Sequence, residues 1–136
     1  MEETYRMKIE NLSNTPSTET LVYDVVNACA EAKGKDIVVL EVSKVFGIAS
    51  HFIIVTGRSD RQTQGICNKV LDALASQGIE PISVDGMETG HWVLADFGDI
   101  IVHVFYEPTR EYYDLEGLWA NADRVPLPPE FEKQAA

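Results

Sequence analysis

The strongest constraint on the fold is a pair of apolar segments, residues 91–97 and 100–106, that are separated only by Gly98 and Asp99. Parallel strands need a long crossover connection, whereas a two-residue loop containing glycine joins antiparallel strands. The pattern therefore predicts a β-hairpin, and the rest of the chain must fold around it.

The short loop fixes the register of this hairpin and gives its two faces different compositions, because side chains alternate along a strand. The wholly apolar face is expected in the core and carries Val93, Ala95, Phe97, Ile100, Val102 and Val104. The opposite face carries Trp92, Leu94, Asp96, Ile101, His103 and Phe105. This second face is too apolar to stand in water and too polar for a uniform core. Either a helix covers it, with Asp96 and His103 hydrogen-bonded to each other or to the backbone, or a protein partner covers part of it.

Hydrophobic periodicity predicts the remaining elements. Strands are expected at residues 36–42, 52–56 and 81–84, and helices from Ser17 or Thr18 to Gly34, over residues 60–76 and from Glu107 onward. The final helix is expected to place Tyr112, Leu115 and Trp119 on one side. The order of these elements predicts an α/β (α+β) fold, with a single mixed sheet of about five strands flanked by helices.

The chain is of single-domain length. We expect the domain to span residues 17–120, between a flexible N-terminal tail at residues 1–16 and a loosely attached, proline-containing C-terminal tail at residues 121–136. The N-terminus lacks a basic start followed by an apolar stretch, so no secretory signal is visible. No apolar run approaches the ~18 residues that a membrane span requires. These features predict a cytoplasmic protein, or one that entered an organelle and lost a leader.

The charge of the chain limits its partners. The sequence has 11 Lys and Arg against 22 Asp and Glu, a net charge of −11. Phosphate backbones and anionic lipid surfaces attract cationic side chains, so direct binding to nucleic acid or to a membrane is disfavoured. An acidic surface suits a basic protein partner. On composition alone, the charge could equally serve only solubility.

Catalytic chemistry has little support in the pattern of reactive residues. Cys29 and Cys67 lack metal-ligand spacing and are expected to be buried free thiols. The turn at residues 56–61 follows a strand and precedes a helix, so its amides could cradle an anion, but it lacks the glycine and lysine pattern of a phosphate loop. We predict no catalytic residue, no metal and no cofactor. The alternative is a nucleotide-binding or nucleotidyltransferase-like enzyme in which Asp96 and Asp99 hold metal ions.

Several motifs between about residue 20 and residue 120 together resemble one known family. They are residues 52–57 with Ser59 and Arg61, Asp85-Gly86, residues 91–105, Arg110, residues 113–116 and Leu118-Trp119. With these motifs the chain resembles the Iojap family, the ribosomal silencing factors of bacteria and organelles. One departure is Ser50-His51, which stands where the family often has an aspartate.

The resemblance implies a nucleotidyltransferase-like topology without a known catalytic activity. It implies binding to a large-subunit ribosomal protein, universal protein fourteen, at the intersubunit face. That binding would keep the small subunit from docking and so repress translation. A homodimer is implied for the free protein. We predict that Trp92, Asp96, Asp99 and His103 contact the partner, with Trp92 supplying buried area and the carboxylates meeting Arg or Lys.

Overall fold

The computed structural model describes residues 16–45, 47 and 49–131. Its strands are β1 (Lys35–Glu41), β2 (His51–Gly57), β3 (Ser83–Asp85), β4 (Trp92–Asp96), β5 (Ile100–Tyr106) and β6 (Asp123–Val125). Its helices are α1 (Thr18–Glu31), α2 (Asp60–Ala75), α3 (Glu107–Tyr113) and α4 (Leu115–Leu118), followed by a 3-10 turn at Pro129–Phe131. None of these helices within the described ranges is long and apolar enough to cross a lipid bilayer.

The six strands form one mixed sheet in the order β3-β4-β5-β2-β1-β6. Strands β2 and β5 run parallel at its centre, and the other neighbours are antiparallel. The predicted α/β fold with a single mixed sheet is therefore confirmed, with one strand more than expected. The hairpin register is also confirmed, since Val93 pairs with Val104 and Ala95 pairs with Val102.

Helices α1 and α2 pack on one face of the sheet. Each begins at a serine whose side chain accepts a backbone N–H, Ser17 for α1 and Ser59 for α2, as helix N-caps commonly do. The core on this side contains the apolar face of the hairpin together with the inward stripes of both helices. Cys29 and Cys67 lie in it as buried free thiols, as predicted, and burial raises the pKa of Cys29 to about 12.

Lys33, rather than Gly34, adopts the left-handed conformation after α1, with φ of 66°. The prediction that this helix ends at Gly34 is therefore wrong, since the helix ends at Glu31 and Lys33 occupies the left-handed position that follows its C-cap. Gly34 is needed for space, because a Cβ atom there would lie 2.5 Å from Cγ2 of Val55.

The segment after β5 covers part of the opposite face, but it is two short helices rather than one. Asp114 separates α3 from α4 with φ of 44° and ψ of 56°. Its side chain accepts the backbone N–H of Gly117 at 3.3 Å, and a Cβ atom on Gly117 would lie 2.3 Å from Oδ2 of Asp114. The single final helix predicted from the spacing is wrong. Leu115 is buried beneath the break, whereas Tyr112 is 82% exposed.

The loosely attached C-terminal segment predicted beyond Asn121 is wrong for residues 123–131. Strand β6 pairs antiparallel with β1 through Val39 and Val125. Phe131 is 5% exposed and packs edge-on against Tyr23 of α1, with ring centroids 5.5 Å apart. These contacts make the segment part of the sheet and core. Apart from Pro16, the predicted N-terminal tail lies outside the described residues.

Candidate functional site

Trp92 begins β4 after a tight turn built on two glycines. Gly86 and Gly90 have φ of 86° and 72°, a region that glycine enters without steric cost. The N–H of Gly90 donates to the carbonyl of Gly86 at 3.0 Å. A Cβ atom on Gly86 would lie 2.0 Å from the carbonyl oxygen of Trp92. The close approach of this turn to the strand therefore fixes the position of Trp92 at the start of β4.

The indole of Trp92 is tied to His103 on the neighbouring strand. Nε1 of Trp92 donates to Nδ1 of His103 at 3.1 Å. The indole ring also packs on Phe105 and Tyr113, with centroids 4.8 Å and 5.0 Å away. Aromatic pairs of this kind contribute about 0.5–1.5 kcal/mol each beyond their buried area. Trp92 is nevertheless only half-buried, so one part of it supports the fold and another part meets solvent.

His103 lies beneath this surface and not on it. It is 4% exposed, so the prediction that it contacts a partner directly is wrong for this conformation. Of the two pairings expected for Asp96, the one to the backbone is found, because its side chain accepts the N–H of Gly98 at 2.8 Å. Across the ranges that the structure describes, His103 bonds neither Asp96 nor the backbone, but the indole of Trp92. Since Nδ1 accepts the hydrogen bond from the indole N–H of Trp92, the ring proton of neutral His103 is assigned to Nε2, which has no hydrogen-bond partner among the described residues.

His103 should make folding stability depend on pH. Burial lowers its pKa to about 4, below the value of about 6.5 for a free histidine. Between these values the unfolded chain binds a proton that the folded chain does not. Stability is therefore complete above about pH 6.5 and falls by about 3 kcal/mol as the pH drops to about 4. Denaturant unfolding across this pH range should show a fall in the free energy of unfolding. In His103→Gln this fall should be smaller by about 3 kcal/mol. Exposed His91→Gln should keep the full drop, and equal pH profiles for both variants would refute this assignment.

Three alternate side chains of β4, namely Trp92, Leu94 and Asp96, remain half-buried on this side of the sheet. Ile101, His103 and Phe105 on the adjacent β5 are at most 9% exposed. The chain itself therefore covers the β5 side of this hairpin face and leaves the β4 side partly accessible. Covering of the β4 side by a partner stays a prediction. We call Trp92, Leu94 and Asp96, together with the exposed Asp99 of the adjoining turn, the Trp92 face.

Asp99 holds the hairpin turn through its backbone, and its exposed carboxylate has no hydrogen-bond partner within the described part of the chain. Its carbonyl accepts the N–H of Ser50 at 2.8 Å, the N–H of His51 at 3.1 Å and the hydroxyl of Ser50 at 2.9 Å. Ser50, which stands where the family resemblance leads to an aspartate, thus anchors the turn to the start of β2. Asp96 closes the same turn through Gly98. The two carboxylates therefore differ: that of Asp96 partly supports the fold, whereas that of Asp99 is exposed.

In the turn before α2, side chains of the chain itself accept the backbone N–H groups that could otherwise bind an anion. Oε1 of Gln62 accepts the N–H of Arg58 at 2.7 Å, and Oγ of Ser59 accepts the N–H of Gln62 at 3.0 Å. The Asp60 carboxylate accepts the N–H of Arg61 at 2.8 Å, which places a negative charge where a phosphate would sit. This arrangement weakens the nucleotide alternative. Within the described ranges, no group of three or more His, Cys, Asp or Glu side chains could hold a metal ion.

Sequence reasoning missed an internal arginine site on the far side of α3. Arg110, whose side chain is 12% exposed, donates to the Asp36 carbonyl at 2.6 Å, to Oγ1 of Thr56 at 2.7 Å and to Oε1 of Glu116 at 2.8 Å. Arg124 of β6 reaches the other oxygen of Glu116 at 3.1 Å. These residues line a cavity of about 440 Å³, and their bonds fasten α3 and α4 to the sheet at β1, β2 and β6. Only the resemblance singled out Arg110, and the partners of a buried arginine are not visible in sequence spacing.

Comparisons with known proteins agree with this geometry. A family profile described as ribosomal silencing factor during starvation matches residues 15–136. A ribosomal silencing factor of Chromobacterium violaceum is 40% identical over 96 residues, which cover 71% of this chain and 79% of that protein. The chloroplastic protein Iojap of Zea mays is 32% identical over 110 residues, covering 81% of this chain and 48% of the maize protein.

A solved structure shares this fold. A crystal structure of a Chromobacterium violaceum protein superposes with a TM-score of 0.76 at 35% identity, covering 82% of this chain and 92% of that one. The sequence profile, the identities and the fold agree over most of the chain. The chain therefore belongs to the ribosomal silencing factor family, to which Iojap is related.

Proposed function

We propose that this protein represses translation by binding universal protein fourteen of the large ribosomal subunit at the intersubunit face, which sterically prevents the small subunit from docking. The observation that carries this proposal is the Trp92 face, an accessible strip of sheet that combines an aromatic anchor and carboxylates in a member of this family. Aromatic residues set in a packed surround are the usual anchors of protein interfaces. The action requires occupancy and no turnover.

The charge of the chain supports a basic partner. The net charge is −11, and the Trp92 face contributes Asp96 and the exposed Asp99. Opposite charges raise the rate of encounter and disfavour acidic competitors. An interface of standard size, on the order of 1,600 Å² in total, is enough for a stable complex. We further propose that the free protein is a homodimer, which large subunits would dissociate.

Sedimentation with purified ribosomal subunits tests the function. The protein should co-sediment with large subunits and not with small ones, and it should reduce the formation of complete ribosomes when small subunits are added. Isothermal calorimetry with ATP, GTP and CTP in the presence of Mg²⁺ tests the alternative and should give no heat of binding. Failure to bind large subunits, together with tight binding or consumption of a nucleotide, would refute the proposal in favour of an enzyme.

Asp99→Lys should weaken binding to large subunits by roughly five- to tenfold at low salt. The Asp99 carboxylate is exposed and its fold contacts are made by the backbone, so the substitution changes charge without removing a structural bond. The loss should shrink at about 0.5 M salt, where the screening length falls to a few ångströms. Binding constants measured across a salt series provide the test.

Asp72→Lys is the matched control for this substitution. Asp72 is exposed on α2, across the sheet from the Trp92 face, and its replacement changes the net charge by the same amount. It should leave binding nearly unchanged. Equal losses for both variants would mean that overall charge, and not a contact at Asp99, drives the association. A loss at Asp99 that is independent of salt would also contradict an electrostatic contact.

A further inference from the structure

An aromatic groove borders the Trp92 face where β4 meets α3. It has a volume of about 460 Å³. Its lining residues are Thr89, His91, Trp92, Pro108, Thr109, Tyr112 and Tyr113. Tyr112 is 82% exposed and Tyr113 is 49% exposed. Both tyrosines are therefore accessible rings at a concave site, and packing in the core does not explain why aromatic residues stand there.

The three large rings of the groove are arranged as adjoining walls. The centroids of Trp92 and Tyr113 are 5.0 Å apart with the planes inclined by 47°. The centroids of Tyr113 and Tyr112 are 5.1 Å apart with the planes at 87°. Ring faces carry negative charge density, and a cation within about 6 Å of a centroid is attracted to it. Walls set at steep angles allow one cation to approach more than one ring face.

The segments that border the groove are acidic. Glu88 precedes its first lining residue, and Glu111 lies next to Tyr112; both are exposed. Arg110, the basic residue of α3, turns its guanidinium inward to Glu116 and the Asp36 carbonyl. The guanidinium of Arg110 is therefore turned away from the groove, and no Lys or Arg is among the residues that line it. The ring faces that line the groove and the net charge of −11 on the chain favour a cationic occupant over an apolar one.

We infer that this groove binds an arginine side chain of the partner protein, with the guanidinium against the rings of Trp92, Tyr112 and Tyr113. A guanidinium is planar, stacks on aromatic faces and is more weakly hydrated than an ammonium group, so arginine suits such walls better than lysine. The inference rests on the proposed function for the identity of the partner. The groove lies beside the Trp92 face and shares Trp92 with it, so one basic surface contacts both.

The first test uses a pair of variants at the exposed ring. Tyr112→Phe keeps an aromatic face and should bind large subunits as the natural protein does. Tyr112→Leu keeps an apolar side chain without that face and should bind roughly 3- to 30-fold more weakly. Because Tyr112 is 82% exposed, neither change should disturb the core. Equal binding by both variants would overturn the inference, and failure of the unaltered protein to bind large subunits would instead overturn the proposed function.

The second test needs no ribosome. Acetyl-arginine amide should shift the ring resonances of Tyr112 and Tyr113 in a saturable, millimolar titration followed by nuclear magnetic resonance. Acetyl-citrulline amide has nearly the same shape without the charge and should produce no such shift. Tyr112→Leu should abolish the response to the arginine compound. Identical responses to the two compounds, or no response to either, would contradict cation binding by the groove.

Discussion

Trp92→Ala is expected to lower affinity for the large subunit by about 30- to 1,000-fold, the range of a central aromatic anchor. The change removes one wall of the groove and the largest side chain of the Trp92 face. It also removes packing on Phe105 and Tyr113 and leaves Nδ1 of His103 without its donor. Stability should therefore fall by about 2 kcal/mol as well. Binding isotherms and denaturant unfolding of the same preparation measure the two effects.

Two further variants separate the loss of contact from the loss of stability. Trp119→Ala removes a tryptophan from the same apolar cluster, where it packs edge-on against Phe52 at 5.3 Å. Phe52 lies on β2, two strands from Trp92, so this variant should lose stability but retain binding. Trp92→Phe keeps a ring on Phe105 and should bind more tightly than Trp92→Ala. If Trp119→Ala abolished binding to the same extent, the effect of Trp92→Ala could not be assigned to the interface.

Arg110→Met is expected to destabilise the fold by about 2–4 kcal/mol, because it removes one partner of a partly buried ion pair and the donor of two further hydrogen bonds. The guanidinium bonds Glu116, Thr56 and the carbonyl of Asp36. Asp36 has φ of 52° and lies where the register of β1 and β2 shifts, so Arg110 also supports an irregular strand. Methionine keeps most of the length and none of the donors. Denaturant unfolding measures the change in free energy.

Arg124→Met is the matched control, because Arg124 bonds the same carboxylate from the surface. Its side chain is 67% exposed, and exposed ion pairs contribute about 0–1 kcal/mol. The two arginines therefore share Glu116 but differ in burial. Costs of similar size for the two variants would contradict the view that Arg110 fastens the helices to the sheet.

The hairpin could be predicted because its determinants are local. Gly98 supplies a φ of 92°, the loop length allows one register, and alternation assigns each side chain to a face. Which part of the mixed face remains accessible was not local information. It depends on how far α3 and α4 extend over β5, and this extent decides that His103 is buried while Trp92 is half-buried.

Strand β6 and the break at Asp114 escaped prediction for related reasons. Strand β6 has only three residues, two of them charged, and Pro126 follows it. Its pairing depends on β1, more than 80 residues earlier in the chain. The helical spacing of Tyr112, Leu115 and Trp119 predicted a continuous helix, although Asp114 between them adopts a left-handed conformation. The combination of an aspartate and a glycine three residues later was the available signal, since aspartate tolerates this conformation better than most residues.

Within the described residues, the sheet ends on both sides in very short strands, β3 and β6, of three residues each. Short borders offer few free backbone groups to a foreign strand, which is a common protection against uncontrolled edge-to-edge polymerisation. A molecule with such borders has little capacity for recognition by adding a strand from its partner. Specificity for the partner must then come from side chains on the face of the sheet and not from its edges. The partner should accordingly present a shaped surface patch, and short extended peptides copied from it should compete poorly.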